Sequence, residues 1–249
     1  MSKKNKNLVA AVTFFSITIA LSFLWWNVAI SQAWLNRVAS PDEVQWALKN
    51  NEGSINAKDA SGLTGLMIAA ELADVERTKL LLQYKADPDV LSGDQNKGTA
   101  LHMLCRKSLI TDRGIEVMKL LLEHGANVHV RDAFNREPLH WIGGISDSHY
   151  RTQVFNLLMK YGADLNAQDI NGDTPLNVMI DFLWSRDPSW FTDTILVPYG
   201  NKIDPTKKNK RGETTLGYAI AHKCLPIVKA LCATGKWTCT EEERTGFVE

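Results

Sequence analysis

The sequence has little cysteine, four residues in 249. Small secreted scaffolds held by disulfides are far denser in cysteine, so the fold here must rest on a hydrophobic core. There is no surplus of charge of either sign: Lys+Arg and Asp+Glu are 28 each, and the formal net charge is zero. A chain without a basic excess is a poor general nucleic-acid binder, and no nucleic-acid partner is expected. No Asn-x-Ser/Thr sequon occurs, which speaks against a glycosylating secretory pathway. A nucleophile elbow, a phosphate loop and a zinc-protease helix motif are also missing, so neither an enzyme nor a cofactor is expected. What remains is ordinary for a globular chain: 45% apolar and 22% charged residues, enough for one or two domains and unlike disorder or collagen.

One stretch departs from that average. Lys3, Lys4 and Lys6 precede Leu8–Ile30, 23 residues without a charge. At about 1.5 Å per residue a helix of that length spans roughly 35 Å, more than the hydrocarbon core of about 30 Å. Trp25 and Trp26 sit near its far end, where an aromatic belt would lie. The lysines place the N-terminus in the cytoplasm and the rest of the chain beyond the bilayer. The run is longer than a usual signal-peptide core, which points to a retained single-pass anchor. Ala29-Ile30-Ser31 also makes a passable cleavage site, so a freely soluble periplasmic or secreted form beginning at Gln32 is the alternative.

The remainder repeats. DASGLTGLMIAA, DQNKGTALHMLC, DAFNREPLHWIG, DINGDTPLNVMI and NKRGETTLGYAI begin at residues 59, 94, 132, 169 and 209. Each is followed by a second apolar stripe, and four of the five by a glycine exit, twice Gly-Ala as in MKLLLEHGAN and NLLMKYGAD. The pattern resembles the ankyrin repeat, whose Thr-Pro-Leu-His element survives as Thr99-Ala100-Leu101-His102, Glu137-Pro138-Leu139-His140 and Thr174-Pro175-Leu176-Asn177. The resemblance implies an all-α solenoid of stacked helix-turn-helix repeats, preceded here by one N-terminal hydrophobic helix. The expected layout is 1–31 for the cytoplasmic N-terminus and anchor, 32–58 for capping helices, 59–236 for five repeats and 237–249 for a polar tail. Within the cap, Ser40-Pro41-Asp42-Glu43 has the form of a helix start, opening a helix over Pro41–Asn50.

Residue chemistry accounts for the repeat. Asp at the first position bonds local amides, and Gly at the fourth accepts positive φ; Lys97 and Asn135 stand there in two repeats. Thr caps the first helix, and Pro fits its first turn. Gly125, Gly162, Gly200 and Gly235 should end the second helices in left-handed conformation, with Lys85 strained at the corresponding exit of the first repeat. Repeats two, three and four carry four or five extra residues between their helices, at about 106–116, 144–153 and 181–193. These either form an added surface on one edge or lengthen the helices. Asp59, Asp94, Asp132 and Asp169 are read as turn formers rather than catalytic carboxylates. His102 and Cys105 are three apart on one helix face, but two further metal ligands are lacking. Cys105 should be a buried free thiol. Cys224 and Cys232 are too far apart along one helix to pair; Cys239 could reach either, or all four could stay reduced.

Ankyrin domains bind proteins through turn tips and the exposed side of the first helix. By that resemblance, the partner-binding residues are Leu63, Phe134, Arg136, Ile170, Asp173, Lys210 and Arg211 at the tips, with Arg106, Lys107 and Phe182 on the helix side. The expected protein is a monomeric, non-enzymatic interaction scaffold with an unidentified protein partner and a lipid bilayer held through Leu8–Ile30.

Overall fold

A computed structural model of the protein describes residues 55–59, 61–183, 187–241 and 243. The apolar run Leu8–Ile30, the helix expected over Pro41–Asn50, and Trp184 lie outside them. Among the described residues every regular element is a helix, and none is long and apolar enough to cross a membrane.

Five helix pairs follow one another. The first repeat holds Gly65–Leu72 and Val75–Gln83, and the second Ala100–Cys105 and Asp112–Glu123. The third holds a 3-10 helix, Pro138–Gly144, and the helix Ser148–Lys160. The fourth opens with Pro175–Leu183. Its second helix has three consecutive parts: Pro188–Trp190, a π-helical Phe191–Leu196, and Val197–Tyr199. The fifth holds Thr215–Ala221 and Leu225–Ala233. First helices pack in one row and second helices in another.

The core is a direct product of the period. Leu66, Leu101, Leu139, Leu176 and Leu216 occupy one repeat position, and all are buried. Leu81, Leu121, Leu158, Ile195 and Leu231 form the matching row on the second helices, each fully buried. Every such side chain contributes about 1.5–3 kcal/mol through removal from water. No repeat could bury either row alone, so stability depends on stacking.

The turn chemistry holds in four repeats and shifts in the second, where Asp94 Oδ1 accepts from the amides of Asn96 and Lys97 and the Gly98 amide donates to Ser92 Oγ instead. Asp59 Oδ1 accepts from the amides of Ser61 and Leu63, and Asp132 Oδ1 from those of Phe134 and Arg136. Asp169 repeats the pattern with Asn171 and Asp173. Asn209 Oδ1 does the same with Arg211 and Glu213. The fourth residue is left-handed each time, including Lys97 at φ 50° and Asn135 at φ 58°. At Gly62 a side chain is also sterically excluded, because a Cβ would come within 2.8 Å of the Gly93 backbone.

The second-helix exits need one correction. Gly125, Gly162 and Gly235 have positive φ, and Lys85 takes φ 62° in place of glycine. Gly200, however, has φ −53° and is right-handed. The fourth repeat has no left-handed exit because its helix tightens into a 3-10 turn, Gly200–Lys202. Just upstream, the Val197 amide donates to Thr192 O, five residues back. That π register takes up an extra residue ahead of Pro198, which has no amide proton to give.

The extra residues go partly into loops and partly into helix. The second helix is 9 residues long in the first repeat but 12 in the second and 13 in the third. The links also lie together. Ser146 N donates to Ser108 O at 2.8 Å, and the Trp190 indole to Thr152 Oγ1 at 2.7 Å. Arg151 is buried between them. Its Nε donates to Ile145 O at 2.9 Å, a terminal nitrogen lies 3.5 Å from Asp187 Oδ2, and its guanidinium sits 4.8 Å from the centre of the Trp190 ring. The inserted segments therefore form one edge, and Trp190 and Phe191 are packing residues of it.

Cys239 pairs with Cys232, not Cys224. Cys105 and Cys224 are buried free thiols. The bridge joins the last helix to the tail, beside the buried Trp237.

Candidate protein-interaction face

Adjacent turns are tied tip to tip. Gly93 N donates to Gly62 O, Ala133 N to Asn96 O, Ile170 N to Phe134 O and Lys210 N to Asn171 O, at 2.6, 2.8, 2.9 and 2.8 Å. The five tips thus form a continuous ridge, and side chains at equivalent turn positions follow it in order. Phe134 and Ile170 are neighbours at its centre, 41% and 51% exposed. Leu109 and Val197 are more exposed still, at 76% and 75%, but they lie away from the tips. Phe134 and Ile170 are distinguished by standing on adjacent tips, and adjacent exposed apolar side chains mark a contact surface better than scattered ones. Lys210 and Arg211 are exposed at the fifth tip, and Arg211 pairs with Glu213 at 2.8 Å. Leu63 is half-buried against the core.

Arg136 and Arg106 are less free than a surface role implies. Arg136 Nε donates to Asp169 Oδ2, and an Arg106 terminal nitrogen to Asp132 Oδ2, both at 2.9 Å. Both carboxylate side chains are fully buried. Between the two guanidiniums lies Trp141, whose ring centre is 4.2 Å from Arg106 and 4.9 Å from Arg136. Its indole N–H donates to Asp132 at 3.0 Å, and its edge meets the Phe134 ring at 6.3 Å.

Asp173 is a correction. Expected at a tip, it is only 7% exposed. Its carboxylate accepts from the side-chain amides of Asn177 and Asn209, tying the fourth repeat to the fifth. Its backbone belongs to the turn, but its side chain is needed inside. Lys107 also joins repeats, since its ammonium donates to Glu71 O. Phe182 is partly exposed and lies over Gly143, where a Cβ would come within 3.1 Å of its ring.

Residue reasoning passed over Trp141, Asp181 and Tyr218. Tyr218 Oη donates to Asp181 at 2.9 Å, and burial, reinforced by that bond, pushes its pKa up. The His222 ring stacks on Tyr218 at 4.2 Å. Trp141 and Tyr218 hold the same position in their repeats, as do Arg106 and Asp181 in theirs. One rule of contact therefore produces both pairs. The available signal was the large aromatic in each of those two segments, at a position where other repeats carry Ile, Met or Val.

The sites considered for chemistry are occupied structurally. His102 Nδ1 accepts from the Thr99 amide at 3.1 Å, and Nε2 then donates to Arg136 O at 3.0 Å. Burial pushes its pKa down, and His140 falls to about 4 for the same reason. Burial pushes the Cys105 thiol up and Cys224 to about 11, so neither is poised as a thiolate. Among the described residues no cluster of His, Cys, Asp or Glu could hold a metal ion. A groove of about 390 Å³ between the second helices of the fourth and fifth repeats is lined partly by Leu196, Val197, Ala230 and Ala233.

Residues 32–132 match the family model of ankyrin repeats in three copies. The match takes in the first two described repeats and the segment ahead of them, and helix pairs of the same build continue to residue 233. The chain is 28% identical over 161 residues to the E3 ubiquitin-protein ligase KEG of Arabidopsis thaliana, covering 63% of this chain and 9% of that protein. It is 32% identical over 119 residues to the probable 26S proteasome regulatory subunit p28 of Saccharomyces cerevisiae, covering 47% and 48%. A putative ankyrin repeat protein of Rickettsia felis is 28% identical over 129 residues, covering 51% and 39%. The chain spans less than half the length of each of these relatives. The similarity to each of them is confined to a part of this chain.

Proposed function

We propose that the protein is a non-enzymatic scaffold that binds a protein partner on its turn-tip ridge, tethered to a membrane by Leu8–Ile30 with the repeats facing away from the cytoplasm. The observation that carries the binding reading is the pair Phe134 and Ile170, exposed side by side and joined through the ridge backbone. Aromatic and Arg side chains dominate the energetics of such surfaces, and Arg136 and Trp141 stand directly beside the pair. The tether rests on the uncharged 23-residue run behind three lysines. The Cys232–Cys239 bridge fits a compartment outside the cytoplasm, because disulfides persist where thiols are not kept reduced. A second reading, a soluble exported form beginning at Gln32, is favoured by Ala29-Ile30-Ser31.

A photo-crosslinking amino acid at position 134 of the full chain, expressed in its host, tests the binding face. It should yield a discrete adduct that the same group at Lys119, on a second helix, does not. Equal adducts from both positions would remove the ridge from consideration. Carbonate washing of membranes tests the tether, since the full-length chain should stay in the pellet and a mature chain starting at Gln32 would show cleavage.

A further inference from the structure

The ridge is layered by charge. Carboxylates lie underneath: Asp132 and Asp169 are buried, each held by turn amides and one guanidinium. Cations lie outermost, with Lys97, Lys210 and Arg211 exposed on their tips. Arg136 commits only Nε to Asp169. A guanidinium has five N–H donors, so the outer fork of Arg136 is available to an incoming acceptor. That fork is already ordered, gripped by Asp169 from below and stacked on Trp141. A side chain held in place loses little further rotamer entropy on binding. Because Coulomb attraction falls with distance, an anion on the ridge feels the near cations more than the buried carboxylates.

The order along the ridge gives the occupant a pattern. The second tip presents Lys97, the third Phe134 with Arg136, the fourth Ile170, and the fifth Lys210 and Arg211. The carboxylates at the tips are already engaged: Asp94 accepts from the Ser92 hydroxyl and the Asn96 and Lys97 amides, and Glu213 pairs with Arg211 and accepts from Asn209, which leaves Lys97, Lys210 and the outer fork of Arg136 to meet an anion. We infer that the ridge takes an extended acidic polypeptide segment, with apolar side chains on Phe134 and Ile170 and Asp or Glu carboxylates on either side of them, one forked by Arg136. This rests on the ridge being the binding face and adds the chemistry of what it binds.

The test is selection of a random twelve-residue peptide library, displayed on phage, against the full-length chain in detergent. The expected result is enrichment of peptides carrying Leu, Ile or Phe flanked by Asp or Glu. Affinity of a winning peptide should fall at least about tenfold in Lys97→Glu with Lys210→Glu, two exposed positions whose change spares folding, and should weaken several-fold as salt rises. Phe134→Ala should reduce it by about thirtyfold or more. Arg136→Lys keeps a charge over Asp169 but loses the fork and the stacking on Trp141, and should weaken binding several-fold at a temperature where its own melting curve shows the variant fully folded. Neutral or basic winners that still depend on Phe134 would overturn the acidic chemistry and leave the ridge as the binding face. Winners indifferent to Phe134, acidic or not, would overturn both, and an absence of enrichment would overturn the inference.

Discussion

The end repeats and the middle repeats solve the same connection differently. In the first and fifth, the first helix closes through a non-glycine residue in left-handed conformation, Ala73 at φ 53° and Lys223 at φ 56°. In the second, third and fourth, the described residues of the link have negative φ, and the extra residues carry the chain across. The short link costs local strain, because a Cβ crowds the backbone at positive φ. The long link instead requires the inserted residues to be satisfied, and they satisfy one another: Ser108 with Ser146, Thr152 with Trp190, and Arg151 with Asp187. On the opposite side no such freedom exists, since each turn is bonded within itself and to the next tip.

The strongest way to break this contrast is to remove the hub of the inserted edge. Arg151→Ala leaves Ile145 O, Ser146 O and Asp187 without their guanidinium. Stripping one partner from a buried charged cluster costs about 3–5 kcal/mol, which urea denaturation should register. A loss under about 1 kcal/mol would mean the inserted links are held by helix packing alone.

The next effect is in the first-helix row and is read by pH. His140 has its folded-state pKa lowered to about 4 from 6.5 by burial. Between those values the unfolded chain binds the extra proton and the folded one does not. Stability from this residue is therefore complete above about pH 6.5 and is lost as pH falls toward 4, by about 3 kcal/mol in full and about 2 kcal/mol at pH 5. Urea midpoints at pH 7.5 and 5 should diverge in the wild type and diverge less in His140→Asn. Equal slopes in the two proteins would show that this imidazole is not the group titrating.

A smaller effect sharpens the comparison of links. Lys223→Gly relieves a left-handed side chain and should stabilise by about 0.5–1 kcal/mol, whereas the same change at Ser146, in a long link, should not. The smallest effect belongs to the ridge. Phe134 is exposed and meets only the edge of Trp141 and, at 6.0 Å, the Arg136 guanidinium, so Phe134→Ala should shift stability by about 0.5 kcal/mol or less. A much earlier melt would make Phe134 a packing residue and move the contact surface elsewhere.

What could be read directly from the residues was whatever short-range bonding controls. Asp59 and Asn209 head their turns because the bonded amides lie two and four residues away. Lys97 and Asn135 are left-handed because the turn geometry demands it of the fourth residue, whatever its type. The Leu rows fall in the core because the period puts them on one face. Phe134 and Ile170 were legible as tip residues for the same reason.

Only the tertiary structure decided how residues about one repeat apart share their bonds. Arg106 and Arg136 are absorbed by carboxylates of the following repeat, and Trp141 lies between them. Asp173 faces inward because Asn209 offers its amide there. Cys239 chooses Cys232 because the tail returns beside the last helix, and Gly200 stays right-handed because the fourth repeat's second helix runs on into a 3-10 turn. The arginine and Asp173 contacts depend on how neighbouring repeats stack, a distance and angle set by the sum of many side-chain contacts, whereas the bridge and Gly200 depend on the course of one helix and the tail. The period of the sequence determines which residues meet in the stack, but the packing determines which of their charges remain outside it.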